Sequence, residues 1–168
     1  MPNHVGNSII ATGPDDEIVR LLSTCFHVPA PEEGDEDEGL QFNFQAVVPV
    51  DDSSIEALMR CPDPNMLRRE AWGTKWNAYD GAIIFRRPGC LNFEFNTANN
   101  IPEAVYRELG KQFPRLDFDI AAIDPGAWWS ITMRISGGSV VLDEHADCKK
   151  IFERVYKTPF EEALEPEE

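Results

Sequence analysis

Two strand–helix–strand patterns, joined through a Pro-Gly hairpin, restrict what this chain can become more than any other feature. Residues 7–13 read as a strand closing on Gly13. Pro14-Asp15-Asp16-Glu17 then opens a helix, since Pro is tolerated in a first turn and acids complement the positive helix end. Ile18, Leu21, Leu22 and Cys25 follow at helical spacing. Residues 40–47 alternate apolar and polar strictly, the pattern of a half-buried strand. A helical patch over 53–59, with Ser54 as its N-cap, and a short helix over 66–71 come next. Residues 82–85 and 91–95 flank Arg86-Arg87-Pro88-Gly89, a hairpin signal. Val105, Leu109 and Phe113 then lie four apart on one helical stripe that Pro114 ends. Residues 116–120 alternate, Asp124-Pro125-Gly126 turns, and 128–135 make the partnering strand. A Gly137-Gly138 turn leads to a short edge over 140–142. A last helix is predicted over 144–156, with Cys148, Phe152 and Val155 inward.

This order predicts an α+β fold: a ferredoxin-like antiparallel sheet with helices packed on one face, extra strands and a C-terminal helix. One domain spans 1–158. Its segment 28–39, with two prolines and a block of acids, is expected to be a mobile loop, and 159–168 an acidic tail.

Charge is distributed very unevenly. The chain carries 30 acids against 15 bases, a formal −15. Glu32, Glu33, Asp35, Glu36, Asp37 and Glu38 form one block; Glu161, Glu162, Glu165, Glu167 and Glu168 form another. Without these 11, 19 acids face 15 bases, so the body is only mildly acidic at −4. No Lys or Arg occurs between Arg20 and Arg60, an interval holding nine acids. A grip on nucleic-acid phosphates needs clustered bases, so direct DNA or RNA binding is not expected. The acidic blocks either keep a loop and a tail solvated or engage a basic partner by imitating a phosphate backbone.

Four cysteines without a Cys-x-x-Cys read as free thiols. The start carries no basic segment followed by an apolar run, and no apolar run reaches 18 residues, so a cytoplasmic protein is expected.

The densest aromatic segment is Trp72-Gly73-Thr74-Lys75-Trp76-Asn77-Ala78-Tyr79-Asp80. As a strand it would put Trp72, Thr74 and Trp76 on one face; as a helix, Trp72, Trp76 and Tyr79. Either form offers large rigid contact area with polar tips, suited to a core or to an interface. Lys75 and Asp80 are spaced to pair. Trp72, Lys75, Trp76, Tyr79 and Asp80, with the six acids of 32–38, are the candidate partner-binding residues. Trp128 and Trp129 are adjacent, so one should enter the core and the other should be exposed. His145 and Cys148 are a helical turn apart, a possible metal pair beside Asp143, Glu144 and Asp147; acids at a helix start are the competing explanation. No nucleophile elbow, zinc-protease motif, phosphate loop or dinucleotide fingerprint is present, so no cofactor, metal or catalytic residue is assigned.

Several segments resemble the YubB-type proteins of conjugative plasmids and bacteriophages. The opening Asn3-His4-Val5-Gly6-Asn7-Ser8-Ile9-Ile10-Ala11-Thr12-Gly13 is similar to their first strand, and Phe42-Asn43-Phe44 through Val48-Pro49 to their second. The Trp72 to Asp80 segment resembles their most recognisable motif. Phe95-Asn96-Thr97-Ala98, Pro102, Phe113-Pro114, Leu116 and Phe118 resemble their second strand–helix–strand unit. The resemblance covers most of residues 3–138 and implies a ferredoxin-like domain of unassigned function. His4 and Val5 stand where an aromatic and a Cys usually do, and the acidic blocks are particular to this chain.

The expected function is therefore that of a non-enzymatic phage or plasmid accessory protein in the host cytoplasm. It would bind and inhibit a host nucleic-acid-handling defence protein by acidic, DNA-mimic-like surfaces. A metal- or nucleotide-dependent enzyme using Asp80 with Lys75 or the 143–147 acids, and a self-associating module, are the alternatives.

Overall fold

The structure is a computed structural model that describes residues 1–30, 39–126, 128–143 and 146–161. Strand β1 (His4–Thr12) leads into helix α1 (Asp15–Cys25) and the short strands β2 (Phe26–His27) and β3 (Gln41–Phe42). Three helices follow: α2 (Phe44–Val47), α3 (Ile55–Arg60) and α4 (Pro64–Trp72). The hairpin β4 (Tyr79–Arg87) and β5 (Cys90–Ala98), helix α5 (Glu103–Gln112) and β6 (Asp117–Ile123) complete the second half. β7 (Ser130–Ser136), β8 (Ser139–Asp143) and α6 (Cys148–Tyr156) are appended.

The six long strands form one antiparallel sheet in the order β4-β5-β1-β6-β7-β8. β1-α1-β4 and β5-α5-β6 are each split by one antiparallel strand, β5 in the first and β1 in the second. This is the ferredoxin-like arrangement, extended by β7 and β8 on the β6 side.

Alternation along β1 explains the layering. Val5, Ile9 and Ala11 face α1 and α5 in a core shared with Phe93 and Phe95 of β5, Leu109 of α5 and Ile120 of β6. The one polar side chain β1 sends into this core is Asn7, and it is satisfied there. The fully buried Tyr106 hydroxyl donates to Asn7 Oδ1 at 2.5 Å, and Asn7 Nδ2 reaches Thr97 Oγ1 at 3.0 Å and the Val5 carbonyl at 2.9 Å. Leaving such groups unpaired would cost about 1–3 kcal/mol each. Burial also pushes the Tyr106 phenol well above its ordinary pKa.

The opposite face is covered only in part. Ala121 and Ile123, which alternate with Ile120 and Ala122, meet Ile151, Phe152 and Val155 of α6. α6 thus lies on the side of the sheet away from α1 and α5, a placement that helical periodicity alone does not specify.

Three expectations need correction. Residues 40–47 are not one strand: β3 stops at Phe42, and Asn43 caps α2 by accepting from the Gln45 amide at 3.1 Å. α2 turns Phe44 and Val47 together into the core. The last helix starts at Cys148 with Asp147 as its cap, so the helical spacing assumed for His145 and Cys148 is absent. His145 itself lies outside the described residues. β7 starts at Ser130, after both tryptophans; even so, Trp128 is 87% exposed and Trp129 packs against the core. The acids at 32–38 and most of the 159–168 tail lie outside the described residues.

Candidate partner-binding surface

The aromatic segment is neither one strand nor one helix. α4 is well specified, with Asp63 capping the Asn65 amide at 2.9 Å and Pro64 in the first turn. It ends at Gly73, whose left-handed φ of 90° lets its amide close on the Arg69 carbonyl at 2.9 Å. A side chain there would also collide with the Ile101 carbonyl, 2.9 Å from an added Cβ. This turn separates two tryptophans four residues apart. Trp72, 3% exposed, lies edge-on to Phe44 and donates its indole N–H to the Val48 carbonyl at 2.8 Å. It serves the core.

Trp76 is on the other side of the turn and 37% exposed. The loop carrying it is braced from below. Buried Thr74 donates its hydroxyl to the Trp76 carbonyl at 2.8 Å. Asn77 Oδ1 accepts from the Phe44 amide at 2.8 Å and the Ala78 amide at 2.9 Å, while its Nδ2 donates to Asn43 at 2.8 Å. Upon this base Trp76 and Tyr79 meet edge to face, centroids 6.0 Å apart, and the Tyr79 hydroxyl pairs with His4 Nδ1 at 2.7 Å. Burial, and then the charge of Asp80, raise the Tyr79 pKa, so the phenol keeps its proton.

Lys75 and Asp80 do not pair. The Lys75 ammonium sits 4.4 Å above the Trp76 ring. Asp80 adopts a left-handed φ of 50° at the bulged start of β4 and accepts from Asn96 of β5 at 3.3 Å. That backbone turn parts the two side chains.

The chain flanking the acidic run is tied to the β4 edge. β2 and β3 pair His27 with Gln41 and Phe26 with Phe42, which brings together the chain on either side of the acidic run. Gln41, 4% exposed, then binds the β4 edge: its Nε2 donates to the Gly81 carbonyl at 3.0 Å and its Oε1 accepts from the Gly81 amide at 2.8 Å. One side-chain amide thus does for Gly81 what an adjacent strand would do. Glu32, Glu33, Asp35, Glu36, Asp37 and Glu38 lie outside the described residues; Gln41, three residues after Glu38, is bonded to Gly81, the residue after Asp80. His4 and Gln41 escaped the sequence reading because their partners are 75 and 40 residues away.

The 32–38 and 161–168 blocks hold 11 acids and no base; the rest of the chain has 19 acids against 15 bases. Within the body, acids are compensated by bases: Asp15 by Arg86, Asp52 by Arg68, Asp119 by Arg154 and Glu94 by Lys157.

No group of three His, Cys, Asp or Glu side chains poised for a metal occurs among the described residues. Cys148 Sγ accepts from Ser130 Oγ at 3.3 Å. Asp80, second residue of β4, and Asp143, last of β8, stand on strands at opposite edges of the sheet. No helix among the described residues is long and apolar enough to cross a membrane.

No family model matches this chain, and no curated protein does. Among solved structures it is similar to a protein, api92, from Yersinia pseudotuberculosis, of the family model DUF1281. The TM-score is 0.63 over 88% of this chain and 99% of that one, at 10% identity. The fold is shared; the sequence is not.

Proposed function

We propose that this chain is a non-enzymatic accessory protein of a phage or plasmid, acting in the host cytoplasm. It binds and inhibits a host nucleic-acid-handling protein, presenting the 32–38 acids together with the Lys75–Trp76–Tyr79–Asp80 edge, on which Trp76 and Asp80 are exposed. The observation that carries this reading is the pair of hydrogen bonds between Gln41 and Gly81, which fastens the chain three residues after Glu38 to that edge. An apolar contact beside a dense negative charge suits a protein whose own ligand is a polyanion. The charge speeds encounter and selects basic partners, and the aromatic contact supplies desolvated area. The separation of charge, −11 in the 32–38 and 161–168 blocks against −4 in the rest of the chain, supports the same reading. The mobile-element setting rests on the resemblance of the sequence to YubB-type proteins.

The test is retention of proteins from a nuclease-treated bacterial lysate on the immobilised chain. The intact sequence is compared with a variant carrying Asn and Gln at the six acidic positions of 32–38. A nucleic-acid-binding protein held at low salt, released near ~0.5 M salt where screening is short-ranged, and lost from the neutral variant is the expected result. Equal retention by both chains, or none by either, overturns the proposal.

A further inference from the structure

We infer that the corner formed by Trp76 and Tyr79 is a cation-recognition site for an arginine of the partner, and that Lys75 occupies it in the free protein. This rests on the basic partner proposed above and names the group that it inserts. A lysine ammonium would ordinarily seek a carboxylate. Here Asp80, five residues on, is turned to Asn96, and among the described residues Lys75 makes no ion pair; its ammonium lies on the indole, 4.4 Å from the ring centroid. An ammonium held only by a ring face is held weakly, because that attraction competes with full hydration. The ring is not held weakly. Thr74, Asn77 and the Gly73 turn fix the loop, and Tyr79, bonded to His4, meets the indole edge to face. A rigid aromatic corner with a replaceable cation is preorganised for another cation. Guanidinium is the better occupant: it is planar, less strongly hydrated than an ammonium and stacks on aromatic faces.

The probe is a blocked Gly-Arg-Gly-Arg-Gly peptide, with the same peptide carrying neutral citrulline for arginine as control. The readout is the Trp76 indole N–H resonance, assigned with Trp76→Phe. The arginine peptide is expected to shift that resonance, and the citrulline peptide is not. Trp76→Ala should weaken binding about 2- to 30-fold, with Trp76→Phe between it and the intact chain. Lys75→Met should strengthen binding about 2- to 5-fold, because it removes the internal competitor. A structural role for Lys75 would give the opposite sign. An equal shift by both peptides, no Trp76 shift while other resonances move, or weaker binding by Lys75→Met overturns the inference. The neutral 32–38 variant separates the two proposals. If it still shifts Trp76 with the arginine peptide, the corner stands and the acidic-run reading falls. If binding needs the acids and ignores Trp76, the corner falls and that reading stands.

Discussion

The two faces of the central sheet are stabilised by different means. The face toward α1 and α5 carries Ile9, Phe93, Phe95, Phe118 and Ile120, large side chains that interdigitate with two helices. The face toward α6 carries Gly6, Ser8 and Ala121 at the positions the helix crosses, and the apolar cluster beneath it has five buried members. Close fit and one charged side chain replace bulk there. An added Cβ on Gly6 would stand 2.6 Å from Val155 Cγ1 and 3.3 Å from the Tyr156 hydroxyl. Arg154 donates to Asp119 Oδ1 at 2.6 Å, to the Asp119 carbonyl at 3.0 Å, and to Ser8 Oγ and the Ser8 carbonyl at 3.3 Å. Area-driven packing tolerates small shifts, whereas a fit of glycine to valine plus a directional clamp tolerates few. The first face should therefore set global stability and the second should govern whether α6 stays docked.

The largest expected effect is on the first face. Phe93→Ala should cost about 3–5 kcal/mol, read as a lower urea midpoint for the whole molecule. A loss no larger than that of Val155→Ala would remove the asymmetry. Gly6→Ala should cost about 1–3 kcal/mol through overpacking, with the damage confined to the second face. Hydrogen exchange should accelerate in α6 while α1 and α5 stay protected; uniform acceleration would mean that the two faces unfold as one unit.

Arg154→Met keeps the length of the side chain and removes the clamp. The partly exposed Asp119 can be rehydrated, so the cost should be about 1–2 kcal/mol, seen as faster proteolysis near α6. The smallest effect belongs to Asp15, which fastens α1 to the hairpin by accepting from the Gly89 amide at 3.0 Å and from Arg86 at 2.7 Å. The Gly89 hydrogen bond, and then Arg86, hold its carboxyl below the usual carboxylate range. Its contribution is thus complete above the ordinary Asp pKa near ~3.9 and is lost as pH falls through the lower folded value. Asp15→Asn should be slightly less stable than the intact chain at neutral pH and equal to it in strong acid; a difference that persists in acid would assign the effect to shape rather than charge.

The sequence by itself determined β1, α1, the β4–β5 hairpin, α5, β6 and β8, and with them the ferredoxin-like layout. Each of these carries its signal locally: alternation where one face is buried, a 3.6-residue stripe on a helix, Pro-Gly at a turn, Ser54 ahead of α3. It also singled out the 72–80 segment, because aromatic density needs no partner to be read. The tertiary structure decided what local pattern leaves open. Alternation over 40–47 was overruled by Asn77, 33 residues from Phe44, whose side chain satisfies the Phe44 amide and stabilises the turn into α2. Gly73 sent Trp72 inward and Trp76 outward, and a positive φ at Asp80 took its carboxylate to Asn96 and left Lys75 to the indole. Periodicity reports that a side chain is buried on one side; which distant group completes its hydrogen bonds or its packing depends on contacts that only folding brings within reach.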